Sequence, residues 1–339
     1  MDAVSRRTGS ALAGRRAALG LLLLGLLVAS QGPGCGAYDH LTRSEGPVSP
    51  RPADCAGCHV EAAAEWERSA HARAWSSPHF AALTEGRTVE ACLPCHAPAA
   101  LHETGGEPVL RAANRAAGVD CQVCHLDHGA LVGPVRGGAL LEPHPVRVDR
   151  ELYRSPELCG RCHAGTLAEY RAHASPGERT CQECHMPAVT RTVTQATGSA
   201  SALLVAFEER VPQRRHLFDL RAVSWVGEAV ASQVRAVRGE DGVAIELTLT
   251  NRLPHLVPTG DFGSRRALLR LVGRDAAGQE TARLERRFQK ELGQALVPGV
   301  ASVTSGNFPV ATRRLEVELV RIGREGPPLS LLRREIPLE

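Results

Sequence analysis

The 339-residue chain predicts an α+β protein, with a mostly helical and irregular segment over residues 53–195 and a small antiparallel β-sandwich over 196–339. Three observations carry this. Ten of the eleven Cys and eleven of the fourteen His fall between Cys55 and His185, in a pattern broken by Gly and Pro. Beyond residue 196 no Cys appears, and apolar residues begin to alternate with polar ones, the period of a half-buried strand. Aromatic residues make up only 4% of the chain, so large apolar side chains do not fill the Cys-rich segment. The length suits two domains of ordinary size.

The elements follow in order. Arg6, Arg7, Arg15 and Arg16 precede or flank the start of an apolar stretch from Ala17 to Ala29, and small residues Ala29 and Ser30 close it. This is the pattern of an export signal over residues 1–30, and the stretch is too short to favour a spanning helix. The Arg6-Arg7 pair is ordinary leading charge, since no hydrophobic motif of a twin-arginine signal follows it. Residues 31–52 are rich in Gly, Pro and Ser and read as a flexible tether. Cys35, within the tether, reads either as the lipidated N-terminal Cys of a bacterial lipoprotein, hence a membrane tether, or as a free thiol. Gly34 suits a lipidation site, whereas Pro33 and Gly32 depart from one. The expected location is periplasmic or outer-membrane-associated.

Residues 53–195 are expected to form short helices, such as Val60 to Trp75 and Ala164 to His173. An internal repeat appears here. Ala64-Glu-Trp66 leads to Ala70-His71-Ala72, and Ala168-Glu-Tyr170 leads to Ala172-His173-Ala174, which reads as a duplicated unit. In the second segment Val243, Ile245, Leu247 and Leu249 alternate with polar or small residues. Leu315, Val317 and Leu319 repeat the pattern, as do Ala267, Leu269 and Leu271 more weakly. Gly239 to Gly242 and Asp275 to Gly278 supply turns between strands, and such spacing suggests a sandwich.

The Cys and His pattern resolves into five C-x-x-C-H motifs: Cys55/Cys58/His59, Cys92/Cys95/His96, Cys121/Cys124/His125, Cys159/Cys162/His163 and Cys181/Cys184/His185. Two thiols three residues apart reach the two vinyl groups of one haem, and the adjacent His ligates its iron. Zinc knuckles and disulfides fit poorly. Neither requires a His after every second Cys, and five pairs do not divide into four-Cys zinc sites. Five covalent haems c in about 140 residues would be the core of this segment, which would then not fold without them. The balance of 40 Lys and Arg against 37 Asp and Glu gives no case for nucleic acid. The haem propionates, on the order of ten negative charges, would make the loaded protein acidic.

The sixth iron ligand separates carrier from catalyst. Only Met1 and Met186 exist. The first is lost with the signal, and the second adjoins a proximal His and does not reach the opposite face. Nine His remain after the five proximal ones: His40, His71, His79, His102, His128, His144, His173, His216 and His255. On a continuous helix His71 lies about 18 Å along the axis from His59, and His173 about 15 Å from His163, so each would serve a neighbouring haem. His128 is too close to His125 to share its iron, and His40 sits in the tether.

The run from Cys55 through Glu61, Glu65-Trp66 and Ser69-Ala-His71-Ala resembles the opening motif of the multihaem cytochromes c that include the tetrahaem electron carrier of ammonia oxidisers. Gly118-Val-Asp-Cys121 and Cys181-Gln-Glu-Cys-His-Met-Pro187 resemble its later haem motifs. Asn251-Arg-Leu-Pro-His255-Leu-Val-Pro-Thr-Gly260 resembles an N-x-x-x-G-H-x-x-P-T-G segment in the β-domain of related bacterial multihaem proteins, with Pro254 in place of Gly. The resemblance implies that His71 and His144 are distal ligands and that the C-terminal domain brings His216 and His255 to the haems. The expected distal set is therefore His71, His144, His173, His216 and His255, with His79, His102 and His128 as substitutes.

Electron transfer between periplasmic or membrane redox proteins through closely packed bis-His haems is the expected function. The alternative is an oxidoreductase of nitrogen compounds, nitrite or hydroxylamine, with one five-coordinate haem. No C-x-x-C-K motif of the pentahaem nitrite reductases occurs, and only Tyr38, Tyr153 and Tyr170 are present where hydroxylamine oxidation resembles a Tyr-rich site. A third reading makes the β-domain a docking module for a partner complex.

Overall fold

The computed structural model describes residues 51–138, 144–198, 202, 205–260, 265–323 and 326–338. The export signal, Cys35, His40 and nearly all of the tether lie outside the described residues. No described helix is long and apolar enough to cross a membrane.

The first segment is built from short helices: α1 (Pro52–Ala56), α2 (Val60–Glu67), α3 (Pro78–Leu83), α4 (Leu93–His96), α5 (Cys121–His125), α6 (Pro156–Gly160), α7 (Ala164–His173) and α8 (Cys181–His185). Helices of this length do not persist alone, so caps and packing hold them. Ser77 and Ser155 accept hydrogen bonds from Phe80 N–H and Glu157 N–H, each with Pro at the first helical position. Thr180 and Glu183 close a reciprocal capping box on α8. Helix α2 ends at Glu67 rather than near Trp75, and the chain turns before His71; α7 runs to His173 as expected.

Short strands β1 (Leu126–Asp127), β2 (Ala130–Gly133) and β3 (Val146–Val148) form one small sheet. Strands β4 (Ala188–Arg191) and β5 (Val211–Arg214) pair antiparallel across residue 196. The second segment holds β6 (Val230–Arg238), β7 (Val243–Asn251), β8 (Arg266–Arg274), β9 (Glu280–Phe288), β10 (Ala301–Phe308), β11 (Arg314–Ile322) and β12 (Leu329–Pro337). They make a three-stranded sheet, β10-β7-β6, and a four-stranded one, β12-β11-β8-β9, both antiparallel. The molecule is thus α+β, a helical and irregular segment followed by a β-rich one.

The alternation read in β7, β8 and β11 sets which face is inward. Val243, Ile245, Leu247, Leu249, Ala267, Leu269, Leu271, Leu315, Val317 and Leu319 are all buried in one apolar cluster. That cluster draws only on residues from Leu220 onward. The helical segment contributes scattered buried residues, Ala63, Phe80, Leu93, Leu101 and Val123 among them. The two expected turns are present. Gly239 N–H donates to Gly242 O, and Gly278 N–H donates to Asp275 O. Gly242 must lack a Cβ, which would lie 2.5 Å from Phe308 O.

Candidate functional site

Each C-x-x-C-H motif folds locally as about one helical turn, so its Cys, Cys and His at i, i+3 and i+4 share a face. In the first, Cys58 N–H and His59 N–H both donate to Cys55 O, at 3.2 and 2.9 Å. In the fourth, Cys162 N–H and His163 N–H both donate to Cys159 O, at 3.3 and 3.0 Å. The second cysteines differ in setting. Cys95, Cys124 and Cys184 lie on helices α4, α5 and α8, whereas Cys58 and Cys162 stand in the turns that follow α1 and α6. Cys58 is half-buried, and its carbonyl accepts from Gln195 N–H at 2.8 Å, which ties the first motif to the end of the helical segment. Cys92 N–H donates to Val89 O at 3.0 Å and Cys184 N–H to Thr180 O at 3.1 Å. Among the described residues no Cys forms a disulfide, so Cys58 and Cys55 are not bridged to each other.

The fold sets four of the five proximal His opposite a second His from far along the chain. Ring centres are 6.3 Å apart for His59 and His144, 6.3 Å for His71 and His163, 6.2 Å for His125 and His216, and 6.4 Å for His185 and His255. The rings do not touch at these distances. A metal about 2 Å from one nitrogen of each ring, with roughly 1 Å from nitrogen to ring centre, sets two imidazoles about 6 Å apart. The spacing therefore fits one haem iron between each pair.

The proton positions agree with ligation. The Nδ1 atoms of His59, His96, His125 and His255 lie 2.7–3.0 Å from the carbonyls of Val193, Ala74, Val132 and Leu256. A ring that donates through Nδ1 presents Nε2 as a lone pair. Burial, with His163 and His216 nearby, pushes His71 down to about 3. Burial next to His125 and Arg191 does the same for His216, and burial facing His255 takes His185 to about 4. His96, His125 and His255 are also lowered, by burial first. These rings are neutral near pH 7, the form that binds metal.

Two of the expected residues stand apart from these pairs. His173 is exposed at the end of α7, and no second imidazole faces it among the described residues. The repeat misleads here: α2 stops and turns His71 inward, whereas α7 continues and leaves His173 on its solvent side. His96 likewise has no facing imidazole among the described residues, so histidine on both sides is not found at the second motif. Its ring is instead stacked flat on Phe80 at 3.7 Å. Of the substitutes, exposed His128 pairs with Asp127, and His102 Nε2 lies 3.1 Å from Cys124 O. His79 has a buried Nε2 without a hydrogen-bond partner, and forms no ring pair with His96.

Thiols of different motifs meet. Cys55 hydrogen-bonds Cys121, Cys95 hydrogen-bonds Cys162, and Cys159 hydrogen-bonds Cys181. The Cys55 thiol is thus engaged with another motif and not with Cys58, the cysteine expected to share its haem. The first motif thus adjoins the third, the second the fourth, and the fourth the fifth.

Several residues of the site escaped the sequence reading. Tyr153 stacks on His125 at 5.2 Å, and its hydroxyl donates to Val132 O and Cys124 O. Phe218 packs edge-on against His71 at 4.3 Å, and Trp225 stands edge-on to His185. Gly118 (φ 64°) has Val119 N–H donating to His71 O at 3.0 Å, and a Cβ on it would lie 2.4 Å from that oxygen. Phe80, Tyr153, Phe218 and Trp225 stand against these histidines, whereas Phe288 and Phe308 lie in the apolar cluster of the strands.

Residues 54–126 match the family model described as cytochrome c554 and c-prime. None of the curated proteins matches the chain. Its fold is similar to the crystal structure of a penta-heme cytochrome c552 from Thermochromatium tepidum, with a TM-score of 0.58 and 16% identity, over 84% of this chain and 97% of that one. The thiol pairs and facing imidazoles suit haem c, which needs two thioether bonds and one or two axial nitrogens per group.

Proposed function

We propose that the chain is a multihaem c-type cytochrome, an exported carrier of electrons between periplasmic or membrane redox proteins that holds five covalent haems. The observation that carries this is the set of four facing imidazole pairs. Cys55 and Cys58, Cys92 and Cys95, Cys121 and Cys124, Cys159 and Cys162, and Cys181 and Cys184 would hold the groups, with His59, His96, His125, His163 and His185 as proximal ligands. His144, His71, His216 and His255 would take the opposite faces of the first, fourth, third and fifth. When bound, haem iron supplies one-electron redox chemistry. The residues supply the rest. Imidazoles on both sides leave substrate no position to bind, and the adjoining motif edges favour passage from site to site. Export rests on the N-terminal charge and apolar stretch, and a membrane tether on Cys35. The test is a haem count with quantitative EPR on the purified, oxidised protein. Five haems and four low-spin ferric signals are expected; fewer than four low-spin haems would overturn the reading.

His96 favours a second reading. A site with one axial histidine and an open face suits an oxidoreductase of nitrite or hydroxylamine acting at the second motif. Its signature is a high-spin ferric signal equal to one haem that changes on adding either compound, with turnover. A high-spin signal unmoved by both leaves the carrier alone.

A further inference from the structure

The duplicated unit carries a carboxylate at the same place twice, buried in Glu65 and half-buried in Glu169. Glu65 on α2 is the sixth residue after His59, and Glu169 on α7 is the sixth after His163. Neither belongs to a C-x-x-C-H motif, and neither faces the haem of its own unit's proximal histidine through a hydrogen bond to that ring. Each reaches instead to a distant segment.

Glu65 is 3% exposed. Its Oε2 accepts a hydrogen bond from the backbone N–H of His216 at 2.9 Å. Arg191 grips both carboxylate oxygens at 3.0 and 3.1 Å, and Arg215 adds a third cationic contact at 3.2 Å. Glu169 does the equivalent for the other C-terminal ligand. Its Oε2 accepts from the N–H of Leu256, the residue after His255, at 3.0 Å, and from Thr259 Oγ1 at 2.7 Å. Lys290 closes the ion pair on Oε1. Backbone N–H groups bonded to an ionised carboxylate are held more strongly than those bonded to neutral acceptors. A buried carboxylate with such partners also has no second comfortable position.

We propose that Glu65 and Glu169 are a duplicated pair of positioning residues. Each is carried by the helix of one haem-binding unit and clamps the backbone that presents the distal histidine of another, His216 for the third motif and His255 for the fifth. The inference rests on the ligand assignment made above. It gives the repeat a purpose that its histidines do not share, since His71 faces His163 and His173 faces no histidine among the described residues. The helix that follows the first proximal histidine thereby fixes the third site, and the helix that follows the fourth fixes the fifth.

The test uses the full-length, haem-loaded protein. Glu169→Ala strands no buried cation, because Lys290 is partly exposed and also donates to Gly260 O, and it leaves Leu256 N–H and Thr259 Oγ1 without this acceptor. Glu65→Ala is combined with Arg191→Leu, so that no buried cation is stranded. His255→Ala and His216→Ala are the references. The readouts are haem count, EPR spin quantification, potentiometric titration, and recovery on adding free imidazole. Each clamp variant is expected to keep five haems and convert one low-spin haem to a high-spin or imidazole-exchangeable form. That haem should be the one altered by the matching histidine variant, and adding the histidine substitution should change nothing more. Clamp variants with unchanged spin states and potentials, beside histidine variants that each lose one low-spin haem, would overturn the clamp and leave the ligand assignment standing. Histidine variants that lose none would overturn both.

Discussion

Tyr153 lies flat along His125 while its hydroxyl and the His125 Nδ1 share the carbonyl of Val132, so one aromatic residue and one carbonyl fix the plane of a ligand. Gly118 does comparable work for His71 by letting the chain pass within hydrogen-bond reach of its carbonyl. Gly118→Ala therefore meets both a left-handed φ and a backbone clash. It is expected to cost more than about 1 kcal/mol and to loosen His71, which denaturation and the low-spin signal of the fourth site would report. Glu169 gives a pH dependence. Burial raises its carboxyl, but Lys290, Thr259 and Leu256 N–H outweigh that and hold it below the usual range. A carboxylate lowered in the folded state stabilises above its unfolded value of about 4.3 and loses that contribution as pH falls through the folded one. Acid titration should thus disturb the fifth site only below the ordinary glutamate range, and Glu169→Gln should remove that step. At this scale the sequence was half legible. The C-x-x-C-H histidines are encoded by local spacing; the imidazoles that face them come from residues some seventy to ninety positions away, which a sequence inventories without pairing.

The elements divide by what holds them. Strands β7, β8 and β11 read clearly because period-2 alternation and burial say the same thing, as Leu247, Leu269 and Leu315 show by being wholly buried. Leu247→Ala is expected to destabilise the sandwich by about 2–5 kcal/mol. Helix α2 was overread, since nothing in the local sequence between Glu67 and Trp75 announces the turn that brings His71 inward. The helices also lack an apolar cluster of their own among the described residues, unlike the strands. Hydrogen exchange on chain produced without haem attachment should show β6–β12 protected and α1–α8 exchanging freely; protection throughout would show that the helices need no cofactor.

In the whole molecule the two segments are in direct contact. His216 and His255, beyond residue 196, face His125 and His185 before it, and Thr166 on α7 hydrogen-bonds Thr259 at 3.0 Å. Deleting residues 196–339 should strip two of the four facing pairs and leave His59 with His144 and His71 with His163. EPR should then show two low-spin haems fewer, whereas an unchanged spectrum would make the β-domain a docking module only. The sequence showed that two segments exist, because composition changes at the boundary, but not that they interlock, because no local pattern records a contact between α7 and the loop after β7.

The meeting of thiols from different motifs bears on how the protein must be made. Cys55 with Cys121, Cys95 with Cys162 and Cys159 with Cys181 are partners in the folded chain although none shares a haem. In an oxidising compartment, thiols so placed are open to cross-linking. A chain that reached this shape bare would risk sealing three wrong bridges, each removing an attachment point from two motifs at once. If these motifs carry haem, attachment while they are still apart avoids that outcome. The architecture then favours a schedule, with attachment first and folding second.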